Sequence, residues 1–364
     1  MSRKVIFITR MLSTGGAERV ISELANELVK QDIEVSLVQL EPRSKGDDYC
    51  LSSNVNIIDF NESSCNNKLF KRFAEIKFLQ EVLKRNPDSV AISFIFSTNY
   101  LLALCKIFVK NKIILSERND PNAMSKMKQI LQKSAFCLAD ACVFQTKDAA
   151  SFYPKSVQKK GVIIRNPINS NLPERHFGER RKVIVTASRL DPQKNLGLLI
   201  DSFKKLNERH SDYNLEIYGR SHMNGNTEQM LKQKVIDLHL EDKVAFMGFS
   251  TNLHKEIKDC AMYVCSSDYE GISNSLLEAM ALGIPTISTD CPIGGARDMI
   301  KNKVNGILVP VKNVEAMYEA MKYVIDNPNE SEKMSTEAYK IRCEYPIEKI
   351  AKEWIEVFKT CAKM

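Results

Sequence analysis

The hydrophobic pattern of this chain alternates between two periods. Short runs of apolar, β-prone residues are separated by longer stretches in which apolar positions recur at helical spacing. In the first half the runs predict strands over residues 4–9, 34–40, 54–60, 89–94, 112–116, 139–145 and 161–164, and the stretches predict helices over 17–31, 69–85 and 99–109. This alternation predicts a parallel α/β sheet whose polar loops follow the strands.

A second series of the same kind begins at Lys182. It predicts strands over 182–188, 213–218, 243–247, 261–265, 285–288 and 306–309, and helices over 196–208, 228–238, 276–282, 297–301, 314–325, 330–342 and 346–362. Residues 165–181 hold prolines, asparagines and charges with little apolar periodicity, which is typical of a linker. A chain of 364 residues also exceeds the usual size of one core, so we expect two α/β halves.

The stretch from Tyr263 to Gly283 carries the densest set of candidate groups. A predicted strand leads into a polar loop with Glu270 and Gly271, and the loop enters a helix that holds Glu278. A helix N-terminus presents free backbone N–H groups to an anion such as phosphate, and the two carboxylates suit sugar hydroxyls. Ser275 and Glu278 also fit a capping box, in which the glutamate only bonds the cap amide. Taken alone, the stretch leaves both interpretations open.

Polar groups also follow other predicted strands. Gly16 lies in a Gly-Gly turn after the first strand, and we expect this turn to approach a ligand closely although the full dinucleotide fingerprint is absent. Arg118 follows strand 112–116 and offers a fork that matches phosphate, while the alternative is a plain Asp-Pro turn. Arg189 and Lys194 share one loop, where two positive charges are able to hold a diphosphate without a metal ion.

Charge and composition narrow the ligand classes. The formal net charge is +7 and the sequence pI is near 8.7, which favours phosphate-rich ligands or an anionic membrane surface. No RNA-binding, zinc-finger or basic-zipper pattern accompanies this charge, so we expect no nucleic-acid partner. The carboxylates form no tight cluster along the sequence, so we expect no metal site.

The predicted helix 69–85 is basic and partly aromatic. The basic residues on it and beside it are Lys68, Lys71, Arg72, Lys77, Lys84 and Arg85, with Phe70 and Phe78 among them. Such a helix is able to lie on an anionic membrane. The alternative, which the pattern favours, is a core-packed helix with a solvated basic face and an inward side formed by Phe73, Ile76, Gln80 and Leu83.

The ten cysteines contain no CxxC pair and have no histidine at metal-ligand spacing. We expect them to be small buried hydrophobes in a reducing cytosol, since no signal peptide is recognisable. No apolar run approaches the roughly 18 residues that are needed to span a bilayer. Membrane contact is therefore expected to be peripheral.

Several motifs occur in the order found in one enzyme family. They are GGAERV at 15–20, SERNDP at 116–121, NPI at 166–168, SRLDPQKN at 188–195 and EGISNSLLEAMALGIPTISTD at 270–290. The last motif includes the E-x7-E spacing from Glu270 to Glu278. With these motifs the chain resembles glycosyltransferase family 4, retaining enzymes of the GT-B fold, over nearly its whole length.

The resemblance implies an α/β fold of the GT-B type, in which two Rossmann-like, doubly wound domains face each other across a cleft. An N-terminal acceptor domain would span residues 1–168 and would be joined by a C-terminal helix, 346–364, that contains Trp354. A nucleotide-sugar donor domain would span residues 169–345.

The resemblance also assigns roles to individual residues. Arg189 and Lys194 match the diphosphate clamp that stabilises the departing nucleotide, and Glu270 matches the carboxylate that faces the donor sugar. These three are the predicted catalytic residues, and Glu278 matches the carboxylate that holds the ribose hydroxyls. The remaining donor-binding residues are Gly271, Ser273 and Asn274 in the loop at sugar and phosphate, Gly248 and Phe249 near the base, and Gly16 near the phosphates.

One position departs from the family pattern. Many members carry a histidine near the transferred sugar, whereas this chain reads Glu117-Arg118-Asn119. We therefore expect Arg118 or Asn119 to supply the polar contact near the sugar and the acceptor. No dedicated nucleophile is expected, because the family is described as using front-face attack with the leaving phosphate as base.

The implied function is transfer of a hexose or an N-acetylhexosamine from a nucleotide sugar, with a UDP-sugar favoured, to an undecaprenyl-linked glycan. The process would be the synthesis of a cell-surface polysaccharide such as capsule or O-antigen, without a cofactor or metal ion. The enzyme would be cytoplasmic and peripheral on the anionic inner face of the cell membrane. The alternatives are a GDP-mannose-dependent transferase, another GT-B enzyme, or a non-enzymatic nucleotide-binding protein.

Overall fold

Buried parallel strands alternate with helices along the computed structural model of this chain, which describes residues 4–12, 15–41, 49–60, 68–221 and 225–363. The contacts divide the chain into two units, residues 1–167 with 345–364 and residues 168–344. Each unit is built on one sheet in which all pairings are parallel. Both have the Rossmann-like form that the alternating pattern predicts.

Within its described residues, the first unit contains seven strands and, before its last helix, six helices. The strands are β1 (Lys4–Thr9), β2 (Glu34–Gln39), β3 (Asn56–Asp59), β4 (Val90–Ser93), β5 (Lys112–Glu117), β6 (Ala141–Phe144) and β7 (Gly161–Ile163), in the spatial order β3-β2-β1-β4-β5-β6-β7. The helices are α1 (Gly16–Lys30), α2 (Lys68–Lys84), α3 (Phe96–Cys105), α4 (Lys126–Leu138), α5 (Lys147–Ser151) and α6 (Lys155–Gln158).

Helices cover both faces of the first sheet. α1 packs on one face, where Val20, Leu24 and Leu28 are buried as their helical spacing predicts. α2, α3 and α4 pack together on the other face. The central strands, such as β1, β4 and β6, are buried between these helices and are continuous apolar runs, whereas the edge strands β3 and β7 are partly exposed.

Two features of these helices differ from the sequence prediction. Leu83 of α2 is buried as predicted, but Phe73 is 74% exposed, so the predicted inward side of this helix is wrong there. α4 is not predicted at all. Its large apolar residues Met127 and Ile130 are exposed while Phe136 is buried, so the apolar positions do not mark the buried face.

The part of the second unit that the structure describes contains six strands and seven helices. The strands are β8 (Arg181–Ala187), β9 (Asn214–Tyr218), β10 (Val244–Gly248), β11 (Cys260–Cys265), β12 (Thr286–Thr289) and β13 (Ile307–Val309), in the order β10-β9-β8-β11-β12-β13. The helices are α7 (Leu196–Asn207), α8 (Thr227–Asp237), α9 (Leu253–Ile257), α10 (Asn274–Ala281), α11 (Val314–Asp326), α12 (Pro328–Tyr339) and α13 (Ile341–Glu344). The predicted helix 297–301 is instead a series of turns, and the predicted helix 330–342 is divided between α12 and α13.

The last helix, α14 (Ile347–Lys363), belongs to the first unit, where it packs beside α1. Its Trp354 is fully buried and stacks on Phe94 with the ring centroids 5.3 Å apart. The amphipathic pattern of α14 is therefore explained by one face that closes the core of the first unit.

The segment predicted to be a linker is held on the second unit. Arg175 donates to Glu332 and Ser335, and Arg180 donates from Nη2 to the carbonyl oxygen of Gly283 (2.7 Å) just past the C-terminal end of α10. Cations are favoured at such helix ends, where carbonyl groups lack partners within the helix. Residues 168–180 therefore form no helix or strand but are tied to a helix terminus.

The nine cysteines in the described ranges are free thiols. Burial is confirmed for Cys105, Cys142, Cys260, Cys265, Cys291 and Cys361, whereas Cys50, Cys137 and Cys343 are exposed and Cys65 lies outside the described residues. Among the helices that the structure describes, none is both long and apolar enough to cross a membrane.

Candidate functional site

Two loops at the carboxyl edge of the second sheet are joined by hydrogen bonds. One loop follows β8 and the other follows β11. Gln193 Nε2 donates to Tyr269 O (2.7 Å), and Gln193 O accepts from Asp268 N (2.9 Å). Asn195 Nδ2 donates to Asp268 Oδ1 (2.8 Å). Because these bonds come from the middle residue and the C-cap of the short 3-10 turn Pro192–Lys194, they fix the two loops in one arrangement.

Lys194 and Glu270 form an ion pair between the same two loops. Lys194 Nζ donates to Glu270 Oε1, and Ser267 Oγ donates to that oxygen at 3.0 Å. Each charged side chain keeps only 14% of its surface exposed. Burial lowers the pKa of Lys194, but the Glu270 carboxylate outweighs this effect and leaves the pKa above its ordinary value. Lys194 is therefore a cation at neutral pH.

Arg189 lies on the same loop as Lys194, on the exposed surface. The positive charge of Arg189 lowers the pKa of Lys194, whereas the Glu270 carboxylate raises it. The structure thus brings Lys194 and Glu270 into contact and places Arg189 within electrostatic range of the ammonium group.

Gly271 touches the loop that follows β12. A Cβ atom on Gly295 would lie 1.8 Å from the carbonyl oxygen of Gly271, so only glycine fits at position 295. The preceding Gly294 has a φ of +70°, which also favours glycine. Gly295 is absent from the predicted site residues, although its Gly-Gly pair follows a strand just as that of Gly16 does.

The start of α10 tests the capping-box interpretation of Glu278. Ser273 is the N-cap, and its Oγ accepts a hydrogen bond from Leu276 N (3.4 Å). In a capping box the glutamate is the third residue after the cap, which here is Leu276. The capping-box interpretation is therefore wrong for Ser275 and Glu278, and Asn274 takes the first helical position.

Glu278 contacts a histidine that the sequence does not predict. The carboxylate is buried in α10, and its Oε2 lies 2.9 Å from Nε2 of His254 on α9. A buried carboxylate requires such a hydrogen-bond partner. No sequence spacing signals this contact, because α9 and α10 are separated by β11 and meet only in the folded chain.

The predicted base-binding residues lie at the end of β10. Gly248 has a φ of +71° and its carbonyl oxygen accepts from Gly219 N (2.8 Å). The Phe249 ring is 44% exposed, and the Arg220 guanidinium lies 5.4 Å from its centroid. An exposed ring next to a cation is a suitable surface for stacking a base. Arg220 is a further residue that the sequence prediction does not include.

Three predicted residues belong to the first unit. Gly16 is the first residue of α1, after the N-cap Gly15. The Glu18 carboxylate lies over this cap. Its Oε2 would be only 1.9 Å from a Cβ atom placed on Gly15. The other two, Arg118 and Asn119, follow β5.

Glu117 holds the loop that carries these two residues. Its buried carboxylate accepts from Tyr153 Oη (2.6 Å) and Gln132 Nε2 (2.8 Å). It also accepts from the backbone N–H groups of Arg118 (3.1 Å) and Asn119 (3.2 Å). Burial raises the pKa of Glu117, and these hydrogen bonds oppose the rise only in part. Glu117 therefore serves to anchor the loop.

Arg118 is a fixed cation. Its guanidinium carbon lies 4.3 Å from the ring centroid of Phe94 and 5.5 Å from that of Trp354. Nη1 donates to Asn166 Oδ1 (2.7 Å). Burial lowers the pKa of Arg118 to about 9, although the Glu117 carboxylate acts to raise it.

Asn119 differs from Arg118 in exposure. Its side chain lies at the surface, and its Oδ1 accepts from Asp120 N (2.9 Å). Asp120 in turn caps the 3-10 turn Pro121–Ala123 by accepting from Asn122 N (2.8 Å). The Asp-Pro turn is therefore present, but it does not involve Arg118.

Metal ligands are not grouped in the described ranges, where no set of three or more His, Cys, Asp or Glu side chains is able to hold a metal ion. The anion-binding candidates are instead the cations and backbone N–H groups described above.

Comparison with known proteins identifies the class of this chain. Residues 169–341 match the family model for glycosyl transferases group 1. Over 364 aligned residues the chain is 27% identical to the GalNAc-alpha-(1->4)-GalNAc-alpha-(1->3)-diNAcBac-PP-undecaprenol alpha-1,4-N-acetyl-D-galactosaminyltransferase of Campylobacter jejuni, covering 97% of this chain and 98% of that protein. It is 24% identical to the amylovoran biosynthesis glycosyltransferase AmsD of Erwinia amylovora, covering 98% of this chain and 99% of that protein.

A solved structure shows the same fold. The Anabaena protein HepE in complex with UDP-glucose superimposes with a TM-score of 0.83 at 15% identity, covering 98% of this chain and 99% of that one. At this identity the likeness concerns the fold alone, and it agrees with the GT-B architecture of two Rossmann-like domains.

Proposed function

Since the chain is a glycosyltransferase whose residues 169–341 match the family model for group 1, we propose that it transfers a hexose or an N-acetylhexosamine from a UDP-sugar to an undecaprenyl-linked glycan. The product would be part of a cell-surface polysaccharide. The observation that carries this proposal is the alignment over 97% of the chain with an N-acetylgalactosaminyltransferase whose name specifies a PP-undecaprenol substrate.

The Lys194–Glu270 pair supports the donor side of the proposal. A diphosphate that approaches Lys194 would share the ammonium group with Glu270, while Arg189 adds a second positive charge on the same loop. Positive charge held in place before the reaction stabilises the negative charge that develops on the departing nucleotide. Glu270 would then be released toward the donor sugar. We propose that transfer needs no metal ion, because these cations supply the positive charge. We also propose that it proceeds with retention, as the family resemblance implies.

The Glu278–His254 contact supports recognition of the ribose. His254 occupies one carboxylate oxygen and so fixes the orientation of the buried side chain. A carboxylate that is fixed in this way accepts hydrogen bonds from sugar hydroxyls without losing further side-chain entropy. His254 would therefore act as a positioning residue for Glu278.

Calorimetric titration with UDP and GDP, in the presence of a chelator, tests the donor class. We expect UDP to bind the wild type more tightly than GDP. Glu278→Ala should abolish binding, and His254→Ala should weaken it by roughly tenfold because a hydrogen bond to a charged group is lost. Lys255→Ala, on the same helix, is the control and should bind like the wild type.

A preference for GDP would replace the UDP-sugar with a mannose donor and contradict this part of the proposal. Product analysis with UDP-N-acetylhexosamines and an undecaprenyl diphosphate-linked acceptor then tests transfer itself. Absence of transfer with every UDP-sugar would contradict the proposed activity.

We further propose that the first unit docks on an anionic membrane through α2 and α4. Leu69, Phe70 and Phe73 of α2 are 65–74% exposed, and Met127 and Ile130 of α4 are 60–67% exposed. α2 follows β3 and α4 follows β5, so both helices begin at the carboxyl edge of the sheet, and they pack on the same face. These residues would enter the interfacial region of the bilayer.

The charges on this surface favour the same partner. α4 contains no acidic residue, and its Lys126 and Lys128 are exposed. On α2 the acidic Glu75 is buried and paired with Arg10 and Arg72, and the other acidic residue, Glu81, is exposed in the C-terminal part of the helix. Basic residues beside exposed apolar groups are typical of binding to anionic lipid.

Co-sedimentation with phosphatidylglycerol-containing vesicles tests the surface. Lys126→Glu with Lys128→Glu should reduce binding by about tenfold or more, since each basic residue contributes about 1 kcal/mol near an anionic surface. Lys155→Glu with Lys159→Glu makes the same charge change at α6, toward the opposite edge of the sheet, and should bind normally. Equal loss in both variants would mean that only net charge matters and would contradict the docking surface.

A further inference from the structure

One edge of the Arg118 guanidinium group makes no hydrogen bond to the residues that the structure describes. Nη1 donates to Asn166 Oδ1 at 2.7 Å, whereas Nε and Nη2 have no hydrogen-bond partner within the described part of the chain. The N–H bonds of Nε and Nη2 on this edge are parallel, and together they form a fork that matches two oxygens of one phosphate or carboxylate.

The surroundings hold this edge in a fixed orientation. The guanidinium plane is packed against the rings of Phe94 and Trp354, at 4.3 Å and 5.5 Å from their centroids. Asn166 is itself held, because its Oδ1 also accepts from Gln145 Nε2 (2.8 Å). Arg118 as a residue is partly exposed, but Nε and Nη2 are themselves buried, so water does not satisfy them. A group that is oriented before binding loses little entropy when a ligand arrives.

The charge of Arg118 is poorly compensated inside the unit. The nearest carboxylate in sequence, Glu117, accepts its hydrogen bonds from Tyr153, Gln132 and the loop backbone rather than from the guanidinium. The low pKa of Arg118, about 9, reflects this burial. A buried cation without an anionic partner destabilises a protein substantially, and such groups cluster at functional sites.

We propose that the Nε and Nη2 edge of Arg118 binds an oxyanion, a phosphate or a carboxylate, that is carried by a substrate of the transferase. The inference rests on the proposed function for the identity of the substrate and on the geometry of the first unit for the binding. The oxyanion belongs either to a diphosphate or to an acidic sugar, since both present two oxygens at the spacing that the fork matches.

Trp354 provides a local probe for this site. It is the single tryptophan of the chain, and its ring lies 5.5 Å from the guanidinium carbon. Tryptophan fluorescence is therefore followed while the full-length protein is titrated with inorganic pyrophosphate, with glucuronate, or with uncharged methyl glucoside. A response to pyrophosphate assigns the oxyanion to a diphosphate, and a response to glucuronate assigns it to an acidic sugar.

The expected result is a saturable change with at least one of the two anions and none with methyl glucoside. Arg118→Met keeps the length of the side chain without the charge and should abolish the response. Arg118→Lys keeps the charge without the fork and should weaken the apparent affinity by roughly tenfold or more. Lys133→Met removes another ring-stacked cation, over Phe152, and should leave the titration unchanged.

A second measurement separates binding from folding. Without added anion, Arg118→Met should melt several degrees above the wild type, because it removes a buried charge. The anion should raise the melting temperature of the wild type but not that of the variant. An unchanged fluorescence response in Arg118→Met, or no response of the wild type to either anion, would overturn the inference. These measurements involve no sugar transfer. They therefore test anion binding at Arg118 even if the transferase assay fails.

Discussion

The contact between Lys194 and Glu270 is central to the second unit at the scale of single residues. Either side chain alone would be a largely buried, uncompensated charge. Since the pKa of Lys194 is raised in the folded chain, the contribution of its charge to stability is fully present below the ordinary lysine pKa of 10.5. That contribution is lost as the pH rises through the raised pKa. The ion pair is therefore intact throughout the neutral range.

Glu270→Gln tests the role of the carboxylate. We expect transfer to slow by roughly 100- to 1,000-fold, because the amide is similar in shape but carries no negative charge toward the donor sugar. UDP affinity should change by less than about threefold. Both quantities are measured on the same preparation by steady-state kinetics and calorimetry.

Glu174→Gln is the matched control, since that carboxylate is 83% exposed and pairs with Arg342 away from the loops of the site. It should leave both quantities unchanged. If Glu270→Gln weakened UDP binding as much as it slowed transfer, the assignment of Glu270 to the sugar would be wrong.

At the scale of elements, the site depends on loops that approach one another at backbone distance. A Cβ atom on Gly219, whose φ is +131°, would lie 1.7 Å from Ser188 O, and one on Gly295 would lie 1.8 Å from Gly271 O. Gly219 thus allows the loop after β9 to contact the loop after β8, and Gly295 allows the loop after β12 to contact the loop after β11. The positions of Lys194 and Glu270 follow from this packing.

Gly295→Ala is expected to destabilise the protein by about 1–3 kcal/mol and to lower activity, because two backbones must move apart. Gly197→Ala is the matched control. Position 197 lies in α7, where the added Cβ meets only Lys234 side-chain atoms at 3.9 Å. Alanine there should be neutral or stabilising by up to about 1 kcal/mol. Thermal unfolding compares the two, and equal stability of both variants would contradict the close approach.

α4 and Phe73 show why helices are harder to predict than strands in this chain. The buried side of α4 includes Gln132 and Phe136, whereas its Met127 and Ile130 face solvent. A pattern method assigns apolar residues to the core, so it fails where apolar residues are exposed. Exposed apolar groups are instead expected at a surface that binds a partner.

At the scale of the whole molecule, the chain begins and ends in the same unit. α14 returns to the first sheet, and Trp354 packs against Phe94, which follows β4, and against Phe358 on its own helix. Residues of α14 and of β1 therefore pack in the same hydrophobic core.

Trp354→Ala is expected to destabilise the first unit by about 3–5 kcal/mol, because a large buried ring is removed. Trp354→Phe keeps a ring in the same place and should be destabilised less. Denaturant unfolding followed by circular dichroism measures both. A loss below about 1 kcal/mol for the alanine variant would contradict the role of α14 in the core.

The strands were predictable from the sequence, and all thirteen are present close to their expected limits. Parallel strands that are buried on both faces are continuous apolar runs, so local composition is sufficient to locate them. Gly271, Ser273 and Glu278 could likewise be placed at a strand–loop–helix junction, because glycine and capping residues mark such junctions.

The sequence by itself therefore determined the two parallel α/β halves, the class of enzyme and the loops that carry charged groups. Only the tertiary structure decided that Lys194 contacts Glu270, that His254 holds Glu278, that Gly295 must be glycine and that Arg118 lies against Trp354. Each of these contacts joins residues far apart in the chain. Local patterns specify strands and helices, whereas such contacts depend on how the crossover connections bring the loops together at one edge of a sheet.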